Sequence, residues 1–140
     1  MKILLSIKPE FAEKIFIGSK KFEFRKIIFK NKSVKTVVVY VTRPIGKIVG
    51  EFDISEIIYD EPDLLWNRTQ EFAGITKEFF EAYFRGRERG FALAIGNVRK
   101  YDEPVTPDNI IKNFTPPQSF IYLDGRFQKI SEEGKQLLLL

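Results

Sequence analysis

Residues 36–42, Thr-Val-Val-Val-Tyr-Val-Thr, are β-branched or apolar at every position. A run with no polar face reads as a central strand of a sheet. Such a strand needs partners on both edges, and the rest of the chain supplies them. Ile3 to Ile7 is a short apolar run that fits a buried strand. Phe22 to Phe29 reads as another, although its alternation breaks after Arg25, as at a bulge. Lys47 to Ile58 is a strand bent at Gly50. Phe91 to Tyr101 alternates large and small residues, and Ser119 to Leu123 is the last strand.

Helical signals fall at three places. Pro9 and Glu10 suit a first turn, Phe11/Ile15 and Ala12/Phe16 give an apolar stripe, and Gly18 suits the C′ position. Lys8 is a poor cap for that helix. Glu61 to Ala73 is helical in character. Thr76 fits an N-cap, with Ile75 and Phe80 as a hydrophobic staple, and Gly86 ends that helix. Residues 102–117 hold four prolines and read as loop. The helices do not alternate with the strands regularly enough for a doubly wound sheet. The pattern fits an α+β fold, a small mixed β-barrel, closed or half-closed, with flanking helices. A single domain is expected over 1–123, with 124–140 a tail that frays. At 140 residues and 44% hydrophobic content such a domain needs no staples.

Composition narrows the chemistry. The chain has no Cys and no His, so thiolate nucleophiles, Cys-ligated zinc and imidazole bases are excluded. No metal site and no cofactor are expected. There is no apolar run long enough for a membrane span and no signal-peptide pattern, so the default location is cytoplasmic. The net charge of +4 is unevenly spread: residues 1–47 carry ten Lys and two Arg against three Glu, and residues 48–76 carry one Arg against seven acidic groups. A polyanion is the natural partner of the basic block. A lysine-rich solvated surface accounts for the same numbers.

The strongest local signal is Gly18-x-Lys20-x-x-Glu23-x-Arg25. Residues two apart on a strand share a face, so Lys21, Glu23 and Arg25 point one way and Phe22 and Phe24 the other. The charged face meets either water or a cleft, and the little open surface of a small barrel favours a cleft. Phe79, Phe80, Tyr83 and Phe84 have helical spacing and read as core. Tyr40, Tyr101 and Tyr122, on strands, are better placed for stacking on bases. The turn from Arg85 to Gly90 is a cationic helix end, and its arginines, Arg87 among them, can also grip phosphate.

The motif G-x-K-x-x-E-x-R after a first helix resembles the signature of the ASCH domain, a family of the PUA-like superfamily of RNA-associated barrels. Leu4 to Gly18, the glycine-bearing strand Ile45 to Gly50, and Pro116-Pro117-Gln118-Ser119-Phe120 resemble further parts of it. The resemblance covers roughly residues 2–123. It implies a PUA-like barrel whose cleft takes RNA or a modified nucleoside. Phosphates would meet Lys20, Lys21, Arg25, Arg43 and Lys47, Gln118 and Ser119 would hydrogen-bond to a base edge, and Glu23 and Arg87 complete the nucleic-acid-binding set. Some relatives are amidohydrolases that deacylate a modified cytidine with Lys, Thr and Glu, and others are described as ribonucleases. The motif lysine corresponds to Lys20. The threonine falls at Glu23, which has no hydroxyl. That departure counts against the amidohydrolase reaction; the alternative to a binding module is an RNA- or nucleoside-processing hydrolase, amidohydrolase or ribonuclease, using Lys20 and Glu23 in the same cleft. A third reading makes Glu23 and Arg25 a structural ion pair.

Overall fold

Strand β3 (Thr36–Val41) lies inside the sheet, as its residue pattern requires. The computed structural model describes residues 1–123, and the tail expected at 124–140 lies outside the described residues. The other elements are β1 (Lys2–Ile7), α1 (Pro9–Ile17), β2 (Phe22–Arg25), β4 (Lys47–Asp60), α2 (Pro62–Thr69), α3 (Lys77–Phe84), β5 (Gly90–Val105) and β6 (Phe120–Leu123). They form one six-stranded sheet in the order β2-β5-β4-β3-β1-β6. Among the described residues only β1 and β3 pair in parallel, and the other pairs are antiparallel. The sheet curls into a half-barrel flanked by helices, so the α+β, PUA-like architecture is present with its barrel open between β2 and β6.

Both faces of β3 are covered. Val37, Val39 and Val41 join Ile3, Leu5, Phe52, Leu93 and the Ala12 and Ile15 side chains of α1 in one core. Val38 and Tyr40 point the other way, against Leu4, Ile48 and Tyr101, beneath Ile110, Ile111 and Phe114. A third cluster joins Phe24, Ile58 and Ala92 of the sheet to Leu65, Phe80 and Phe84 of α2 and α3. Each large apolar side chain so buried contributes on the order of 1.5–3 kcal/mol. Tyr40 and Tyr101 are therefore core residues, which corrects their reading as stacking platforms.

Local chemistry sets the ends of the elements. The Thr76 hydroxyl accepts from the Phe79 amide at 3.1 Å, a cap that contributes about 1 kcal/mol. Lys8 makes no side-chain cap to α1. Gly18, at φ 98°, ends α1, and the amides of Gly18, Ser19 and Lys20 all return to the Lys14 carbonyl. The chain thereby reverses into β2. That strand stops at Arg25 rather than running to Phe29. Residues 26–35 cross as a loop that drops Phe29 and Val34 into the core. The bend at Gly50 is a register shift against β5, where a Cβ would meet the Arg99 carbonyl at 2.5 Å. Among the described residues no helix is long and apolar enough to cross a membrane.

Candidate nucleic-acid interface

The candidate site lies at the β2 edge, where α1 and α3 meet the sheet. Lys20 leaves the α1 turn and points inward, only 2% exposed. Its Nζ donates to the Ala73 carbonyl at 2.7 Å, and it lies 4.9 Å from the Phe24 ring centroid and 5.5 Å from that of Phe11. Gly74, at φ +70°, lets the α2–α3 connection pass close by, since a Cβ there would lie 2.5 Å from Lys20 Cβ. Glu23 is also buried, at 7% exposure. Its Oε2 has no hydrogen-bond partner among the described residues. A buried polar atom without a partner costs on the order of 1–3 kcal/mol, so its retention asks for an explanation.

Both residues line a cavity of about 190 Å³ with Ser6, Lys8, Phe11, Phe24, Phe79 and Tyr83 among its other walls. Burial lowers the Lys20 pKa, partly opposed by the Glu23 charge, and burial raises that of Glu23, partly opposed by Lys20 and Arg25. The two form no direct ion pair and are coupled through space. Burial also raises Tyr83, whose neighbours include Arg25, Glu23 and Arg87. Lys26 Nζ stands 4.8 Å from the Tyr83 ring centroid, and Lys8 Nζ 5.4 Å from that of Phe79. The arrangement is thus an aromatic slot with a carboxyl at its base and cations around it. Larger hollows exist, of about 660 Å³ beside α1 and about 420 Å³ beneath the 26–35 loop, but every charged residue lining them is solvent-exposed.

Segment 116–119 crosses the open side of the half-barrel beside this slot. Ser6 Oγ donates to the Pro117 carbonyl at 2.9 Å, and Arg25 Nη2 donates to the Ser119 carbonyl at 2.7 Å. The predicted residues Lys20, Glu23, Arg25 and Ser119 are therefore brought together, with Arg87 near enough to act on Tyr83. Ser119 takes part through its backbone. Glu23 and Arg25 share a face, as the strand period requires, yet make no ion pair, so the structural-pair reading is not supported. Lys21 departs from the group: it is exposed, with Nζ 4.2 Å from the Phe72 ring centroid. Arg43, exposed beside Pro44, and Lys47, whose Nζ donates to Thr106 Oγ1 at 2.6 Å, do not line the cavity. Exposed Gln118 does not line it either.

Sequence reasoning missed Ser6, Lys8, Phe11, Phe79, Tyr83 and Gly74. The α3 stripe divides: Phe80 and Phe84 are core, while Phe79 and Tyr83 wall the slot. The available signal was Gly74 itself, a glycine between two helical segments. Among the described residues no group of three or more acidic side chains is placed to hold a metal ion.

A family model described as "Domain of unknown function (DUF365)" matches residues 2–114. The chain is 29% identical over 126 residues to a Zymomonas mobilis protein named ASCH domain-containing ribonuclease, covering 86% of this chain and 82% of that one. It is 35% identical over 123 residues to part of a Ureaplasma parvum protein named ATP synthase subunit alpha, of which it spans only 15%. Among solved structures, the crystal structure of ASCH from Zymomonas mobilis superposes with a TM-score of 0.85 at 29% identity, covering 94% of each chain.

Proposed function

The chain belongs to the DUF365 family and is built as an ASCH domain, and from that premise we propose that it binds RNA, or a modified nucleoside, with one base in the slot beside Glu23. The observation that carries this reading is the buried, unpartnered Glu23 Oε2 between aromatic walls. An ionised carboxylate only accepts, so it suits a base edge that donates, such as an exocyclic amine. A protonated one adds a donor, which suits an edge carrying both an amine and a ring nitrogen acceptor. The slot is small for a whole drug-sized ligand, which needs about 300 Å³ or more. It is larger than the roughly 150 Å³ apolar cavity that holds a benzene. One flat ring of a larger ligand fits both bounds. Single-stranded RNA presents such rings, and aromatic side chains and cations hold them.

Lys8, Arg25, Lys26 and Arg87 supply the phosphate contacts. Neutralising two to four phosphates of a single strand gives a slope of about −1.4 to −2.8 in log affinity against log salt. Titration with short RNAs at two salt concentrations tests this, and weak binding without a slope refutes it. Glu23→Gln is expected to change the preference among bases while leaving the slope intact.

One observation favours a second reading, hydrolysis of an RNA or an acylated nucleoside in the same slot. Lys20 is buried with a lowered pKa beside a carboxyl, as a proton-transferring lysine requires. Turnover abolished by Lys20→Ala supports that reading, and retained turnover removes Lys20 from it.

A further inference from the structure

The face of the sheet that carries Glu23 continues past the slot. Strand pairing places Tyr59 opposite Phe91, and Phe91 opposite Arg25. The next row on the same face is Ile57, Leu93 and Glu23. Rows on one face are two residues apart, about 7 Å along the strand. That is twice the rise of about 3.4 Å between stacked bases, so the two rows suit bases that are splayed apart rather than stacked on each other.

The Tyr59–Phe91–Arg25 row has a surface unlike the rest of the sheet. The Tyr59 and Phe91 rings stack with centroids 4.4 Å apart and planes 26° apart. Tyr59 is 55% exposed, although Leu93 in the neighbouring row is fully buried. A pair that served only to stabilise β4 against β5 would gain most by burying both rings, and this one leaves a large aromatic surface in water. The Arg89 guanidinium lies 5.5 Å from the Tyr59 ring centroid. Its contact with the half-buried Asp60 is loose, at 3.9 Å, and Arg89 itself is exposed, so a phosphate can compete for it. Arg25 joins the platform to the slot, because its charge also acts on Glu23 and Tyr83. An exposed aromatic face bordered by arginines is complementary to a base with its phosphate.

We infer that Tyr59 and Phe91 form a second base platform, for the unpaired nucleotide adjacent to the one whose base enters the slot. This rests on the RNA reading of the slot and makes the ligand a single strand of at least two nucleotides rather than a free nucleoside. The base at the platform is held by stacking and is read without sequence preference. Discrimination among bases stays at Glu23.

The test uses the full chain, the four RNA homotetranucleotides with a fluorescent label, and the four nucleoside 5′-monophosphates as competitors. Tyr59→Ala is expected to lower tetranucleotide affinity about 5- to 140-fold, the equivalent of about 1–3 kcal/mol of stacking at 1.4 kcal/mol per tenfold. Competition by the mononucleotides stays unchanged. Tyr59→Phe keeps the wild-type affinity, and Tyr59→Leu, which preserves apolar contact with Phe91 without a ring, loses it as Tyr59→Ala does. Unchanged tetranucleotide binding in Tyr59→Ala and Tyr59→Leu overturns the platform, as does an equal loss for both probes. If Glu23→Gln alters mononucleotide binding while the Tyr59 variants alter nothing, the slot reading stands and only the platform falls. If the wild type binds neither probe, both fall together.

Discussion

Replacing Lys20 with Met tests whether the buried lysine and glutamate act as one electrostatic unit. Met keeps the length of the side chain and removes its charge. The variant loses the 2.7 Å bond to the Ala73 carbonyl, and hydrogen bonds involving a charged group contribute about 1.5–3 kcal/mol. It also removes the charge that holds down the Glu23 pKa, already raised by burial, so that pKa rises further. A carboxyl whose folded pKa exceeds its unfolded value favours folding below the unfolded pKa, and that contribution disappears as pH rises through the folded value. The destabilisation therefore grows from pH 5 to pH 8. The Glu23 part of this slope is at most 1.36 kcal/mol per pH unit, so that part is bounded at about 4 kcal/mol over the range. Urea unfolding at both pH values measures it. In the double variant Lys20→Met/Glu23→Gln no buried carboxylate remains, and the pH-dependent part is expected to vanish while the loss of the Ala73 bond persists. A Lys20→Met loss equal at both pH values, or equal with and without Glu23, refutes the coupling.

Three further perturbations address the surroundings of the slot and the opposite end of the sheet. Gly74→Ala forces a side chain into a left-handed backbone and against Lys20; strain of about 1–2 kcal/mol and overpacking of about 1–3 kcal/mol should lower the urea midpoint and weaken mononucleotide binding, and an unchanged midpoint counts against the packing. Arg25→Met breaks the bond to Ser119 and should speed amide exchange in Phe120–Leu123 selectively, with β3 still protected; uniform exchange would show that Arg25 does not fasten this seam. Glu51 is buried and accepts from Lys2, Arg99 and Tyr101. Burial, then the Glu51 carboxylate, raise the Tyr101 pKa, so Glu51→Gln should move its phenol titration part of the way back, read by ultraviolet absorbance at alkaline pH. The same change should destabilise the protein by about 1–3 kcal/mol.

The fold was legible where one residue pattern has one physical solution. The Thr36–Val41 run is apolar on both faces because both faces of β3 are covered, and Thr76 and Gly18 end helices through their own backbone and side-chain chemistry. The slot was legible only in part, because helical period shows which side of α3 meets protein and not whether a gap lies between them. Phe79 and Tyr83 belong to the same stripe as Phe80 and Phe84 and differ only in what stands opposite. Lys20 and Lys21 are neighbours with the same chemistry, yet one is buried and the other exposed. What separates them is the Ala73–Gly74 backbone, more than fifty residues away, whose Ala73 carbonyl accepts from Lys20 and whose Gly74 carbonyl accepts from Lys14, leaving none for Lys21. Tyr40 and Tyr101 were misread for the same kind of reason: their cover comes from residues 110–114, a segment without periodic signal.

The topology explains why the polar groups gather where they do. A closed barrel satisfies all its backbone pairs and leaves its interior to side chains, whereas an open one has two edges whose partners must come from elsewhere. Here β2 and β6 are the edges. The gap between them is crossed by Arg25 to Ser119, a bond from side chain to backbone that imposes no strand register, while Ser6 of β1 holds the segment leading into β6 through the Pro117 carbonyl. The buried carboxyl inside the ladder, Glu51 on β4, is satisfied by Lys2, Arg99 and Tyr101. Set at the β2 edge, Glu23 lies within the field of Lys20 and Arg25, with Oε2 unpartnered among the described residues. The open seam thus supplies the charges that make a buried carboxyl tolerable there and, on the proposed RNA reading, the space for a base. The expected consequence is that Arg25→Met, which loosens the seam and removes a proposed phosphate contact together, weakens binding of short RNAs, and unchanged affinity in titration refutes both roles.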